Sequence, residues 1–173
     1  PSTMKDRIIV FLIILLAFGF RAFNLDWDEN QHLHPDERFL TMVLSSMELP
    51  KSLSEYFNPQ LSKLNPYNLN YSFFVYGTFP LNLVRLVGEL VGRRQYWDIY
   101  LVGRAMSVTF DLLVVVLVWR IASILFDRKA GIYAAFFYAI MVLPIQLSHF
   151  FTVDPYLNFF LVLSFYFAVI PLS

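Results

Sequence analysis

Hydrophobic and polar positions fall into long blocks along this chain. Ile8 to Phe20 carries no charge, and the apolar character runs past Arg21 to Leu25. That gives about 18 residues, close to the roughly 20 that cross the hydrocarbon of a bilayer as a helix. Lys5 and Arg7 precede the block and keep its start cytoplasmic by the positive-inside rule. Arg21 can snorkel toward the far headgroups, and Trp27 falls where an aromatic belt residue belongs. Residues from Asp26 onward then emerge on the non-cytoplasmic side. Three further apolar blocks predict spans over 105–125, 130–148 and 156–173, joined by a short cytoplasmic link at 127–131 and an outer loop at 148–155. The expected fold is all-α and integral to the membrane, one module over 1–173 with about four transmembrane helices, the first over 8–25.

The block from Asp26 to Tyr96 is different. Pro35 suits the first turn of a helix, where a missing N–H is harmless, and Asp36 and Glu37 then sit where the helix dipole favours acids. Phe39, Leu40, Met42, Val43, Leu44 and Met47 continue an apolar face, so a short amphipathic helix from Pro35 to Met47 lying on the membrane surface is expected. Pro50, Pro59 and Pro66, with Asn58, Asn65, Asn68 and Asn70, predict loop. Tyr71 to Gly92 is apolar enough to insert, but Gly77, Pro80, Arg85 and Glu89 interrupt it. If it crosses, Asp127, Arg128 and Lys129 end up outside; if it lies in the interface they end up inside, as the charge rule prefers. It is read as a surface or re-entrant helix, although Arg93, Arg94 and Arg104 then lie outside.

Composition agrees with a bilayer. Hydrophobic residues make up 58% of the chain, aromatics 18% and charged residues 15%, against about 25% charged in an ordinary soluble domain. The formal net charge is zero, so nothing points to nucleic acid, and without Cys there is neither a disulfide nor a thiolate metal site. The basic start followed by oil also resembles a signal peptide, but Phe20-Arg21-Ala22-Phe23 is no small-residue cleavage site, and an uncleaved helix is expected. Met4 reads as the native start, with Pro1 to Thr3 as leftover sequence. The fourth block reaches the last residue, as in a piece of a longer protein.

Ionisable groups are densest at His32-Leu33-His34-Pro35-Asp36-Glu37-Arg38-Phe39. With the topology above, Asp36 and Glu37 from the first outer loop face the same side as His149 and Asp154 from the second, and acids converging from two loops can form a site. Each also reads as a solvated loop acid or a helix cap, and Asp154 before Pro155 is a good cap pattern. Asp111 lies at bilayer depth, where a carboxylate costs about 2.5–3.5 kcal/mol and faces a cavity or a partner. Arg104 or Arg21 is its expected partner. His32 and His34 stand beside carboxylates and offer imidazole to a divalent metal, but no third ligand stands out, so no cofactor is expected and metal binding is the lesser reading.

An Arg near the end of the first span, followed by Pro35-Asp36-Glu37 on an outer helix, resembles the GT-C superfamily of membrane glycosyltransferases. The likeness is to family 39, the protein mannosyltransferase and aminoarabinose transferase group. Tyr76-Gly77-Thr78-Phe79-Pro80-Leu81 resembles the family's Pro-Leu surface helix. Gly103-Arg104-Ala105-Met106-Ser107 resembles the Gly-Arg-x-x-Ser that opens its second span. Ala130-Gly131, Pro144 and Ser148-His149-Phe150-Phe151-Thr152-Val153-Asp154 resemble its next hairpin and outer loop. The likeness covers nearly the whole chain, implies the N-terminal portion of a longer enzyme, and is to bacterial members, hence an inner membrane with the N-terminus cytoplasmic.

The resemblance implies transfer of a sugar, with inversion, from a polyprenyl-phosphate donor to an acceptor at the non-cytoplasmic face. Asp36 is the implied base, and Glu37 positions Asp36 or the substrate. Arg38 and Arg104 are implied phosphate contacts, with interfacial snorkelling as the plain alternative. His149 and Asp154 are implied to face substrate. The rival reading is a non-catalytic transmembrane subunit of a larger membrane complex, respiratory or photosynthetic, whose Phe-rich helices face other subunits. A transporter fragment with Asp111 on a proton path is a third.

Overall fold

Helices carry the chain in the computed structural model, which describes residues 4–172, and no strand occurs among them. Pro1 to Thr3, and Ser173 at the end of the fourth expected span, lie outside the described residues. The order is α1 (Met4–Ala22), α2 (Pro35–Ser46), α3 (Leu53–Tyr56), a 3-10 turn (Pro66–Leu69), α4 (Thr78–Val91), α5 (Tyr96–Leu125), α6 (Arg128–Ala139), α7 (Val142–Ser148), α8 (Asp154–Val169) and a closing 3-10 turn (Ile170–Leu172). The chain divides into two compact units, one formed by 1–25, 107–149 and 154–173, the other by 26–106 and 150–153.

In the first unit α1 packs on α6 and α7. Its buried positions Val10, Ile13, Ala17 and Arg21 recur every three to four residues, one stripe of a helix. Ile13 and Ala17 meet Val115, Ala135 and Ala139, and the three alanines are small enough for close helix approach. Gly131 serves the same end: a Cβ there would meet the Ser123 hydroxyl at 1.9 Å and the Trp119 carbonyl at 2.7 Å. The opposite face of α1 exposes Ile8, Phe11, Leu12, Leu15 and Phe18. Apolar residues outside and small residues inside invert the pattern of a soluble bundle and suit lipid.

The third expected span is broken. α6 ends at Ala139, α7 begins at Val142, and the two are bent by 56°. Pro144 has no N–H to offer the Ile140 carbonyl. The carbonyls of Ala139 and Tyr138 instead accept from the Arg21 guanidinium, at 2.8 and 3.2 Å. Arg21 therefore does not snorkel; it is fully buried. Among the described residues α5, at 30 residues, is the one helix long and apolar enough to cross, and the bent pair passes the same test only if its two halves form one span. α1 carries Lys5, Asp6, Arg7 and Arg21, and α8 is 16 residues long.

In the second unit α2 packs on α4, burying Leu40, Val43, Leu44, Leu81 and Val84. α2 begins at Pro35, with His34 as its cap: the His34 Nδ1 accepts from the Glu37 N–H at 3.4 Å. The ambiguous segment forms α4, whose 14 residues extend about 21 Å, less than a bilayer's hydrocarbon of about 30 Å. α4 stops at Gly92, where φ is +73°, and Arg93 N–H returns to the Gly88 carbonyl at 2.9 Å in a Schellman closure. Glu89 pairs with Arg85 within the helix and with Arg94 beyond it at 2.7 Å.

Candidate functional site

Asp36 and Glu37 are neighbours in the first turn of α2, and a helix places consecutive side chains about 100° apart. That rotation gives two like acids opposite environments. Glu37 points inward and is fully buried. Its two oxygens accept from Nε and Nη2 of Arg104, both at 2.7 Å, in the bidentate geometry of a guanidinium–carboxylate fork. The Phe151 N–H adds a third bond at 2.8 Å. Gly103 makes that approach possible, since a Cβ there would lie 2.3 Å from the Phe151 ring. The Gly103-Arg104 pair thus does two things at once: the glycine admits Phe151, and the arginine reaches Glu37.

Asp28 completes this cluster. Its Oδ2 accepts from Arg104 at 3.0 Å and from the Leu33 N–H at 3.3 Å. Burial alone would raise the Asp28 pKa, but the hydrogen bond and charge of Arg104 outweigh it and hold the carboxyl below its usual value. The guanidinium also lies over two rings, 4.8 Å from the Tyr100 centroid and 5.5 Å from that of Trp27. Trp27, expected in a membrane belt, is thus part of the arginine's seat and packs edge-on against Phe150. The Tyr100 hydroxyl donates to Asp26 at 2.5 Å.

The loop that delivers these residues is strained. Glu29, Asn30 and His32 all have positive φ, between +48° and +65°, which asparagine and histidine adopt more readily than glutamate. His32 is buried between the rings of Tyr96 and Tyr100, and its Nε2 lies 2.8 Å from Asn30 Oδ1. Burial lowers its pKa, against the opposing pull of Glu37 and Asp28. The histidines considered for a metal are otherwise engaged, His32 with Asn30 and His34 as a helix cap and against Phe150. Among the described residues no group of three or more His, Cys, Asp or Glu gathers as a metal would require.

Asp36 turns the other way and is half-buried. Its Oδ1 accepts from the Tyr76 hydroxyl at 2.9 Å. Arg38 is exposed, with its Nε donating to the His32 carbonyl at 3.0 Å. Arg104, expected near a phosphate, faces carboxylates from inside the unit.

The remaining candidates belong to the first unit. His149 sets its ring nitrogens against backbone carbonyls, Nδ1 2.7 Å from Ile145 and Nε2 2.9 Å from Phe23, which ties α7 to the end of α1. Asp154 is exposed and lies in the first turn of α8. Asp154 and Asp111 line one groove of about 340 Å³ with Tyr138, Asn158 and apolar walls from α7 and α8. Asp111 is buried, pairs with Arg21 at 2.5 Å and accepts from the Tyr138 hydroxyl at 2.7 Å. Asn158 in turn donates to Tyr138 at 3.0 Å.

Asp28, Tyr76, Tyr138 and Asn158 escape sequence reasoning. Asp28 had one signal, an Asp-x-Asp directly after an apolar block; Tyr76 stands in the motif over 76–81 without a role, and Tyr138 and Asn158 give no signal.

A family model described as dolichyl-phosphate-mannose-protein mannosyltransferase matches residues 79–172, more than half of the chain. No curated protein and no solved structure matches.

Proposed function

The chain belongs to the dolichyl-phosphate-mannose-protein mannosyltransferase family, a family of membrane glycosyltransferases, and from that premise we propose that it carries the acid that activates the acceptor in transfer from a polyprenyl-phosphate sugar. The observation behind this reading is the division of labour at Asp36 and Glu37. One acid is buried and taken by an arginine; its neighbour is partly open and keeps Oδ2 without a hydrogen-bond partner among the described residues. That openness and the spare oxygen support the second as the acid that receives a proton.

The donor's isoprenoid tail lies in the bilayer, so its sugar is presented at the membrane face. α2, a short helix expected on that face, holds Asp36 there. Asp36 Oδ2 takes the proton of the acceptor hydroxyl as the acceptor oxygen bonds to the anomeric carbon. The anomeric carbon–oxygen bond to phosphate breaks, and its electron pair leaves with the phosphate. Attack opposite the leaving group inverts the centre. A phosphate leaves without a general acid but gains from a nearby cation. Arg38 is exposed and retains its terminal nitrogens for that contact, whereas Arg104 is committed to Glu37 and Asp28. The helices cross as α1, α5, the bent α6–α7 pair and α8, with Lys5 and Arg7 on the cytoplasmic side and the acidic loop on the other, in a bacterial inner membrane.

The test uses the full-length protein in detergent, dolichyl phosphate mannose as the donor probe and a serine- and threonine-containing peptide as acceptor. Asp36→Asn is expected to lower transfer by about 10²- to 10⁴-fold, the usual contribution of a positioned base, with donor binding retained. Transfer at the wild-type rate by Asp36→Asn would remove Asp36 as base, and wild-type protein inert toward this donor would sink the proposed reaction.

A further inference from the structure

The segment 71–76, which belongs to no helix, runs as a strap beside α2. At one end the Tyr71 hydroxyl donates to the Met42 carbonyl at 3.1 Å and lies 3.0 Å from the Ser46 hydroxyl. At the other, the Tyr76 hydroxyl donates to Asp36 Oδ1. Phe39 sits between them, its ring 6.0 Å from Tyr71, 6.3 Å from Phe74 and 6.1 Å from Tyr76. Asp36, Phe39, Met42 and Ser46 recur at three- and four-residue steps, so the strap follows one face of the helix in the antiparallel sense. The strap is itself pinned, since the Tyr67 hydroxyl donates to the Phe74 carbonyl at 3.0 Å and Phe74 is buried.

From this placement we infer that Tyr76 is a positioning residue for Asp36, an inference that rests on Asp36 acting as the base. A carboxylate at the edge of a helix is free to spin about its last torsion, presenting either oxygen in any direction. The phenol removes that freedom. It holds Oδ1, fixes the plane of the carboxylate and leaves Oδ2 as the oxygen that meets the acceptor. The ring is held by Phe39 and Phe74, so the hydroxyl's position is set by packing rather than by the acid it serves. Tyr76 touches neither the anomeric carbon nor the phosphate in this scheme; it acts through Asp36.

Tyr76→Phe keeps the ring and deletes only the hydroxyl. In the full-length protein, with dolichyl phosphate mannose and the peptide acceptor, kcat is expected to fall by about 10- to 100-fold, the scale of one hydrogen bond to a charged group. The KM for donor and acceptor and the melting temperature are expected to stay at wild-type values, because the loss concerns orientation in the transition state. Two results overturn the inference alone: an unchanged kcat where Asp36→Asn is inactive, or a kcat loss that comes with a matching fall in melting temperature and rise in KM, which marks the strap as purely structural. Full activity in Asp36→Asn overturns the base assignment, and the role of Tyr76 with it.

Discussion

Arg21 and Arg104 are both fully buried, yet they are held in opposite ways. Arg104 meets two carboxylates and two aromatic faces, and through Glu37 and Asp28 it joins α5 to α2 and to the loop before it. Arg21 meets one carboxylate, Asp111, and one aromatic face, that of Tyr138, and directs its other donors to the carbonyls that end α6 and to that of Ala17. There the partly negative end of a helix shares the work of a counter-ion. The first arginine is a hub that ties α5 to α2 and to the loop before it. The second finishes a broken helix. Burial and charge alone do not distinguish them; the partners do.

The hub should be the more fragile of the two. Arg104→Met leaves Asp28 and Glu37 buried without a cation, and breaking a buried pair in that way costs about 3–5 kcal/mol. The expected outcome is a large drop in melting temperature in detergent, or loss of folded protein. Replacing all three, as Asp28→Asn, Glu37→Gln and Arg104→Met together, should recover part of the loss because no unpaired buried charge remains. A single variant that melts with the wild type would show that the arginine is not a hub.

The helices were legible where their signals are local. Pro35 with two acids behind it and an apolar face predicts a helix from Pro35 to Met47, and α2 occupies Pro35–Ser46. Lys5, Arg7 and the oil after them predict α1, shifted toward the N-terminus. Pro144 was visible inside the third apolar block, but the group that makes a break tolerable there is Arg21, 118 residues away from the carbonyl it caps. The candidate site shows the same limit. Asp36 and Glu37 look alike in sequence, and their difference is created by Arg104, 67 positions from Glu37, and by Tyr76, 40 positions from Asp36. Asp28 was passed over because its partner is 76 positions distant.

Asp111→Asn sharpens the contrast from the other side. Asparagine keeps the shape and an acceptor for Arg21 while removing the charge, and the Ala139 and Tyr138 carbonyls still receive the guanidinium. The expected loss is about 1–3 kcal/mol, the range for one charge-assisted bond weakened in place. A melting curve in the same detergent measures it. A loss as large as that of Arg104→Met would mean that the helix end contributes nothing as counter-ion, and the distinction between the two arginines would collapse.

The smallest expected effect is a response to pH around Arg104. His32 is held below its ordinary pKa by burial; Glu37 and Asp28 pull it up, Arg104 and Arg38 push it down, and Tyr96 and Tyr100 enclose the ring. The unfolded chain therefore takes up a proton below about pH 6.5 that the folded chain resists. The stability linked to neutral His32 is complete above that pH and is lost as pH falls toward the folded value. One proton sets the slope at no more than about 1.4 kcal/mol per pH unit. Asp28 acts in a separate window: its pKa is lowered from 3.8, so its contribution is present above that value and is lost as pH falls further, through the folded value. Melting temperatures between about pH 7 and pH 5 should thus decline gently in the wild type, before the carboxylate range is reached. His32→Asn has no proton to take up there and tolerates the positive φ of +49° at this position. It should therefore flatten the decline. A wild-type curve that is already flat over this range would show that His32 carries no such linkage, and a slope that His32→Asn leaves in place would assign it to another group.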